Sequence, residues 1–126
     1  MTSETSAVTG AVRNWLRLEG LAALLMAVLL YARADYSWLL FAILFLLPDL
    51  SFVAYRAGPR VGAMAYNAMH TYAIPLLLAI ALLLAGASLA VPLIWIAHIG
   101  MDRALAYGLK NPTGFGSTHL GPIGRR

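Results

Sequence analysis

Four long apolar stretches, separated by short polar connections, dominate the chain. They cover residues 16–33, 37–55, 61–85 and 88–107. A helix needs roughly 20 residues to cross about 30 Å of hydrocarbon, so each stretch predicts one transmembrane helix. The connections, at Arg33–Ser37, Arg56–Arg60 and Gly86–Ala87, are so short that consecutive helices are expected to be antiparallel neighbours. The pattern therefore predicts an all-α fold, a four-helix transmembrane bundle with up-down-up-down topology.

The two ends of the chain differ from this apolar centre. Residues 1–14 are polar and small and predict a separate N-terminal segment, and residues 15–107 form the predicted membrane domain. Residues 108–126 hold five glycines and two prolines, which predicts a non-helical cytoplasmic tail. Within the second and third stretches, Pro48 and Pro75 each remove one backbone hydrogen bond and free a carbonyl group four residues earlier.

The composition agrees with a membrane location. Hydrophobic residues make up 61% and charged residues 11% of the 126 residues, against about 45–50% and 25% in soluble domains. A soluble domain of this length cannot bury so much apolar surface, so the excess is expected to face the lipid bilayer. The net charge of +4 does not indicate nucleic-acid binding, because the basic residues lie at the ends of apolar stretches and not on one face. Without cysteine, disulfides and thiolate chemistry are excluded.

The basic residues also predict the orientation of the bundle. One side of the membrane would carry eight of them: Arg13, Arg17, Arg56, Arg60, Arg103, Lys110, Arg125 and Arg126. The other side carries only Arg33, offset by Asp35. Both termini are therefore predicted to be cytoplasmic (N-in and C-in) in a bacterial inner membrane. A competing interpretation, signal-peptide cleavage at the small-x-small pattern of residues 32–34, is disfavoured by Glu4 and Glu19 and by a charge balance that suits a retained helix.

A group of polar side chains falls within the predicted helices, where an ionisable group costs roughly 2.5–3.5 kcal/mol. They are Glu19, Asp49, Tyr66, Asn67, His70, Tyr72, His98, Asp102 and Arg103. At about 1.5 Å of rise per residue, all of them lie in the cytoplasmic half of the bilayer, whereas the outer half is almost purely Leu, Ile, Ala and Val. His98 and Asp102 are four residues apart and share a helix face, as do Tyr66 and His70. The polar groups of different helices are therefore expected to converge.

Two imidazoles and two carboxylates at one depth have the composition of a divalent metal site, since neutral histidine nitrogens and carboxylate oxygens are its usual ligands. We predict that His70, His98 and Asp102 are metal ligands. Asp49 or Glu19 would be a further ligand, or the catalytic general base that activates a bound water. The polar network around them is predicted to include Tyr66, Asn67, Arg103 and, from the tail, His119. The enzyme of this hypothesis is a metal-dependent hydrolase acting on a lipid or another membrane-embedded substrate.

Two other interpretations of the same residues stay open. A buried hydrogen-bonded network that only fixes helix packing would use these side chains, because interhelical polar contacts commonly hold bundles together. A proton- or ion-coupled transport subunit, working as a homo-oligomer, would use them too. The sequence thus predicts a polar site in the cytoplasmic half of the membrane without fixing a reaction.

Four runs of the chain carry a family resemblance: LEGLAALL, LLPDLSFVAYRAGPRVGAMAYNAMHTYAIPLLL, AHIGMDRALAYGLK and FGSTHLG. In this order, over about residues 15–121, they resemble the small bacterial membrane family catalogued as domain of unknown function 4260. The resemblance implies a four-helix bacterial inner-membrane protein. That family has no assigned activity, so the resemblance supplies no catalytic residues. A fainter likeness to membrane-bound metal-dependent hydrolases rests on residue types and not on an aligned motif.

Overall fold

The computed structural model describes residues 10–109, which fold into five α-helices and one long 3-10 helical segment. The helices are α1 (Gly10–Arg33), α2 (Trp38–Leu44), α3 (Pro59–His70), α4 (Ala73–Leu84) and α5 (Ala90–Ala104), and the 3-10 segment is Leu47–Ala57. No β-strand occurs within residues 10–109. The prediction of an all-α fold is confirmed.

Two stretches of the described chain are long and apolar enough to cross a membrane. One is α1, whose 24 residues extend further toward the N-terminus than the predicted stretch 16–33. The other is Trp38–Ala57, which combines α2 and the 3-10 segment. Leucines on both stretches are exposed, as expected of surfaces in contact with lipid. These features support the membrane location inferred from composition.

The second span changes helix type at Pro48. Proline has no N–H group and cannot continue an α-helical hydrogen-bond ladder, so α2 ends at Leu44. The next N–H group, that of Asp49, donates to the carbonyl of Leu46 at 3.1 Å, which is the shorter spacing of a 3-10 helix. Asp49 therefore lies on a 3-10 segment and not on an α-helix.

The third predicted span, over residues 61–85, consists of two helices joined at a bend and not of one continuous helix. α3 ends at His70, Thr71 is extended with φ −97° and ψ 142°, and α4 begins at Ala73. The axes of α3 and α4 differ by 43°. Pro75 favours the break because it cannot donate a hydrogen bond to the carbonyl of Thr71. Taken together, α3 and α4 are long and apolar enough to cross a membrane once, as a broken span.

The last helix, α5, is short and central. It has 15 residues, of which ten are buried, and it packs against α1, α2 and α4. Its length of roughly 22 Å falls short of the hydrocarbon thickness. The described residues thus contain two helical stretches that could span a membrane, or three with the bent pair. The four-span up-down-up-down topology is not confirmed and stays a prediction.

Two glycines allow α1 and α5 to touch. A Cβ atom added to Gly100 would lie 2.6 Å from the carbonyl oxygen of Gly20 and 2.7 Å from the backbone nitrogen of Leu24. One added to Gly20 would lie 2.8 Å from the carbonyl oxygen of Gly100. This contact fixes the rotation of α5. Residues two positions from Gly100 in either direction lie on the opposite side of the helix, so His98 and Asp102 face away from α1.

Candidate metal centre

Four ionisable side chains from three elements converge on one point. Asp49 comes from the 3-10 segment, His70 is the last residue of α3, and His98 and Asp102 lie one turn apart on α5. One ligand atom of each residue lies within 4.8 Å of the ligand atoms of the other three. We call these four residues the His/Asp cluster.

The distances within the cluster match the spacing of ligands around a single ion. The Nε2 atom of His70 lies 3.0 Å from Asp49 Oδ1 and 3.5 Å from Asp102 Oδ2. The Nε2 atom of His98 lies 3.2 Å and 3.3 Å from the same two oxygens, and the two Nε2 atoms are 3.2 Å apart. Ligands about 2.0–2.2 Å from a tetrahedral ion are separated from one another by roughly 3.3–3.6 Å. The cluster is therefore close to the size of a tetrahedral metal site.

The backbone of α3 sets the tautomer of His70. Its Nδ1 atom lies 2.8 Å from the carbonyl oxygen of Tyr66, which can only accept a hydrogen bond, so Nδ1 carries a proton. The ring of Tyr66 stacks on the imidazole with 3.7 Å between centroids and 7° between planes. A neutral His70 therefore directs the lone pair of Nε2 into the cluster. A backbone carbonyl bonded to the second ring nitrogen is the usual environment of a metal-binding histidine.

Two buried atoms of the cluster make no hydrogen bond of suitable geometry among the described residues: His98 Nδ1, and Asp102 Oδ2, which lies 3.3 Å from His98 Nε2. A buried carboxylate oxygen in this condition requires an explanation. A cation held between the four side chains would supply a partner for Asp102. The Nδ1 atom of His98 would still have no hydrogen-bond partner among the described residues, whereas Nδ1 of His70 has the carbonyl of Tyr66.

Exposure differs strongly within the His/Asp cluster. The side chains of His70 and His98 are 0% exposed and that of Asp102 is 7% exposed, whereas that of Asp49 is 43% exposed. The cluster is therefore enclosed on the side of α3 and α5 and open beside Asp49.

A glycine contact holds the 3-10 segment that carries Asp49. A Cβ atom added to Gly62 of α3 would overlap the ring of Tyr55, so glycine allows this ring to lie directly on the helix. The 3-10 segment packs closely against α3 along its length. Asp49 is thereby presented to His70 even though it does not lie on a regular α-helix.

The structure does not bring Glu19 into the cluster, so its predicted role as ligand or general base has no support. Glu19 is exposed on α1 and lines a separate cavity of about 540 Å³, with Tyr72 and apolar side chains of α1, α4 and α5. The physical reason is its neighbour Gly20, which faces α5 directly and therefore directs residue 19 to the flank of the contact. The depth of a residue along a helix does not determine which way its side chain points.

The other predicted network residues have different positions. Arg103 is 7% exposed and donates from Nη2 to the carbonyl of His70 at 2.8 Å. Asn67 lies three residues before His70 and is half-buried. His119 lies outside the described residues. Trp95 was not among the predicted site residues, yet its Nε1 donates to the carbonyl of Met69 at 2.6 Å. The feature of the sequence that could have identified Trp95 is its position three residues, about one helical turn, before His98.

Comparison with known proteins gives one match. A family model described as domain of unknown function 4260 matches residues 13–123, most of the chain. No curated protein and no solved structure was found to match.

Proposed function

Because the chain belongs to the family of domain of unknown function 4260, whose description names no activity, we propose a function from the geometry of the site. This membrane protein binds a divalent transition-metal ion, with zinc as the best fit. The ligands are His70, His98, Asp102 and Asp49. The observation that carries the proposal is the close spacing of the four ligand atoms, 3.0–3.5 Å over five of their six pairs, which is the size expected of a tetrahedral site.

The proton positions favour a metal ion over a network that only fixes packing. With its proton on Nδ1, a neutral His70 ring would face Asp49 Oδ1 with the lone pair of Nε2 across 3.0 Å. The two Nε2 atoms also face each other at 3.2 Å. A positive charge between these atoms, from a metal ion or from protonation of an imidazole, would remove this mismatch. One divalent ion satisfies all four ligands at once, whereas a proton-only network needs additional protons on buried imidazoles.

The unequal exposure of the ligands supports an enzymatic role, the hydrolysis of a lipid or another membrane-embedded substrate. Catalytic zinc sites have three protein ligands and one open position: the buried His70, His98 and Asp102 would be the three, and the more exposed Asp49 would give up the fourth position to a water. A bound ion would supply Lewis acidity and make a water more acidic. Asp49 would accept the proton of the attacking water and return it to the leaving oxygen, while the water oxygen bonds to the acyl or phosphoryl centre.

The location of the protein is part of the same proposal. The distribution of basic residues supports a bacterial inner membrane with both termini in the cytoplasm. In that orientation the His/Asp cluster opens toward the cytoplasmic half of the bilayer, where lipid ester and phosphodiester bonds lie close to the membrane surface.

Metal content tests the first part of the proposal. Protein purified in mild detergent without chelators should contain about one divalent ion per chain, measured by elemental mass spectrometry. Asp102→Asn should lower this content, because it removes the charge of a buried ligand. Asp35→Asn makes the same chemical change at an exposed turn between α1 and α2 and should leave the content unchanged. Wild-type protein without bound metal would contradict the proposal and favour the packing network.

Hydrolysis tests the second part. Zinc-loaded protein should cleave dye-labelled phospholipids in detergent micelles, at the acyl or the phosphodiester bond. Asp49→Asn should reduce the rate roughly 10²–10⁴-fold, the usual contribution of a general base, and Asp35→Asn should not. A metal-loaded wild type that cleaves neither bond, and instead carries zinc across liposome membranes, would replace hydrolysis by transport.

A further inference from the structure

The broken end of α3 is held by side chains of α5. α3 stops at His70, and the extended Thr71 leaves the carbonyl groups of the last helical turn without their usual N–H partners. In the apolar interior of a membrane, each such carbonyl needs another donor.

Two side chains of α5 donate to carbonyls of this last turn. The Met69 carbonyl accepts from Trp95 Nε1 at 2.6 Å, and the His70 carbonyl accepts from Arg103 Nη2 at 2.8 Å. The Tyr66 carbonyl, one turn earlier, accepts from His70 Nδ1 at 2.8 Å. Transporters with broken helices use such carbonyls to coordinate ions. Here they already accept hydrogen bonds, so the side chains of the His/Asp cluster remain as the ligands.

Both α5 donors lie next to the α5 members of the cluster. Trp95 precedes His98 by one turn, and Arg103 directly follows Asp102. α5 therefore contacts the backbone of α3 on either side of its own two ligands. The guanidinium of Arg103 is fixed further, because Nη1 donates to the carbonyl of Tyr107 at 2.9 Å. Any movement of α3 relative to α5 has to break these bonds before the distance between His70 and His98 changes.

We propose that Trp95 and Arg103 are positioning residues, which hold His70 in the geometry that binds metal by capping the broken end of α3. This inference rests on the proposed metal site. It adds a specific claim, that the affinity for metal depends on two donors that do not touch the ion. Outer-shell partners of this kind typically change metal affinity by about 10–100-fold.

The test uses Co²⁺, whose visible spectrum reports the geometry of its ligands. Trp95→Phe keeps an aromatic ring but removes the N–H donor together with the pyrrole part of the indole, so Co²⁺ should bind about 10–100-fold more weakly and with an altered spectrum. Arg103→Met should do the same. Arg103→Lys should recover part of the affinity relative to Arg103→Met, because an ammonium can donate to the His70 carbonyl but lacks the two separate nitrogens with which the guanidinium reaches both carbonyls.

A variant with a comparable structural defect provides the control. Ile99→Val removes a methyl group from a fully buried side chain of α5 without touching a carbonyl of α3. It should lower the thermal midpoint and leave Co²⁺ affinity and spectrum unchanged. If Trp95→Phe and Arg103→Met bind Co²⁺ as tightly as Ile99→Val, the positioning role is overturned while the metal site stands. If the wild type binds no Co²⁺, both proposals are overturned.

Discussion

Zinc at about a thousand times its dissociation constant should raise the free energy of unfolding of the wild-type protein by about 4 kcal/mol, and His98→Ala should abolish this rise. The linkage is direct, because an ion that binds only the folded cluster stabilises the folded state. His98 supplies the Nε2 atom that lies 3.2–3.3 Å from three other ligand atoms, so its removal opens the site. The measurement is unfolding in detergent with increasing denaturant, with and without zinc.

The increase in the free energy of unfolding that zinc causes has to be separated from the destabilisation that the substitution itself causes. Ile94→Ala provides the comparison, since Ile94 is 2% exposed on α5 and contributes no ligand atom. Its metal-free stability should fall by about 2–5 kcal/mol because a cavity forms, yet the increment caused by zinc should remain. A His98→Ala protein that is stabilised by zinc as strongly as Ile94→Ala would show that the ion binds elsewhere.

Gly100→Ala should destabilise the protein by about 3 kcal/mol, at the upper end of the usual cost of overpacking. The added methyl group would meet the backbone of α1 at 2.6 Å and 2.7 Å, and backbone atoms cannot rotate away as a flexible side chain can. α5 would have to separate from α1. Denaturant-induced unfolding monitored by tryptophan fluorescence measures the loss.

The same substitution should also weaken metal binding, because the contact at Gly100 sets the direction in which His98 and Asp102 face. Leu83→Ala is the control: Leu83 is 66% exposed on α4, and the change should alter stability by no more than about 0.5 kcal/mol. A Gly100→Ala protein as stable as Leu83→Ala would mean that α1 and α5 are not in close contact.

Much of the fold could be predicted because membrane helices have a simple physical requirement. Long apolar runs must be helical to satisfy their backbone in lipid, and this correctly gave an all-α protein. The breaks were harder to locate. Pro48 and Pro75 identified freed carbonyls, but a proline in a membrane helix is compatible with a mild kink as well as with a break. The break at His70 depends on Trp95 and Arg103, which become its partners only in the folded protein.

The composition of the His/Asp cluster followed from depth and helix periodicity, and the structure brings Asp49, His70, His98 and Asp102 together. Their role stays a prediction. The depth of Glu19 in the membrane did not predict its position correctly. The direction of its side chain is set by the glycine contact between α1 and α5, which is a tertiary feature. The helix periodicity used for the prediction was that of an α-helix. Asp49 lies instead on the 3-10 segment that includes Pro48, so its side chain points in a different direction from the one expected.

The short α5 has a consequence for the bilayer around the protein. Its 15 residues extend roughly 22 Å, against about 30 Å of hydrocarbon, and glycine contacts tie it to the much longer α1. A short helix beside a long one creates hydrophobic mismatch, which lipids relieve by thinning locally. Asp102 lies two residues from the end of α5. In a topology with α5 embedded beside α1, local thinning would bring interfacial water closer to the cluster, and thicker membranes would restrict access to it.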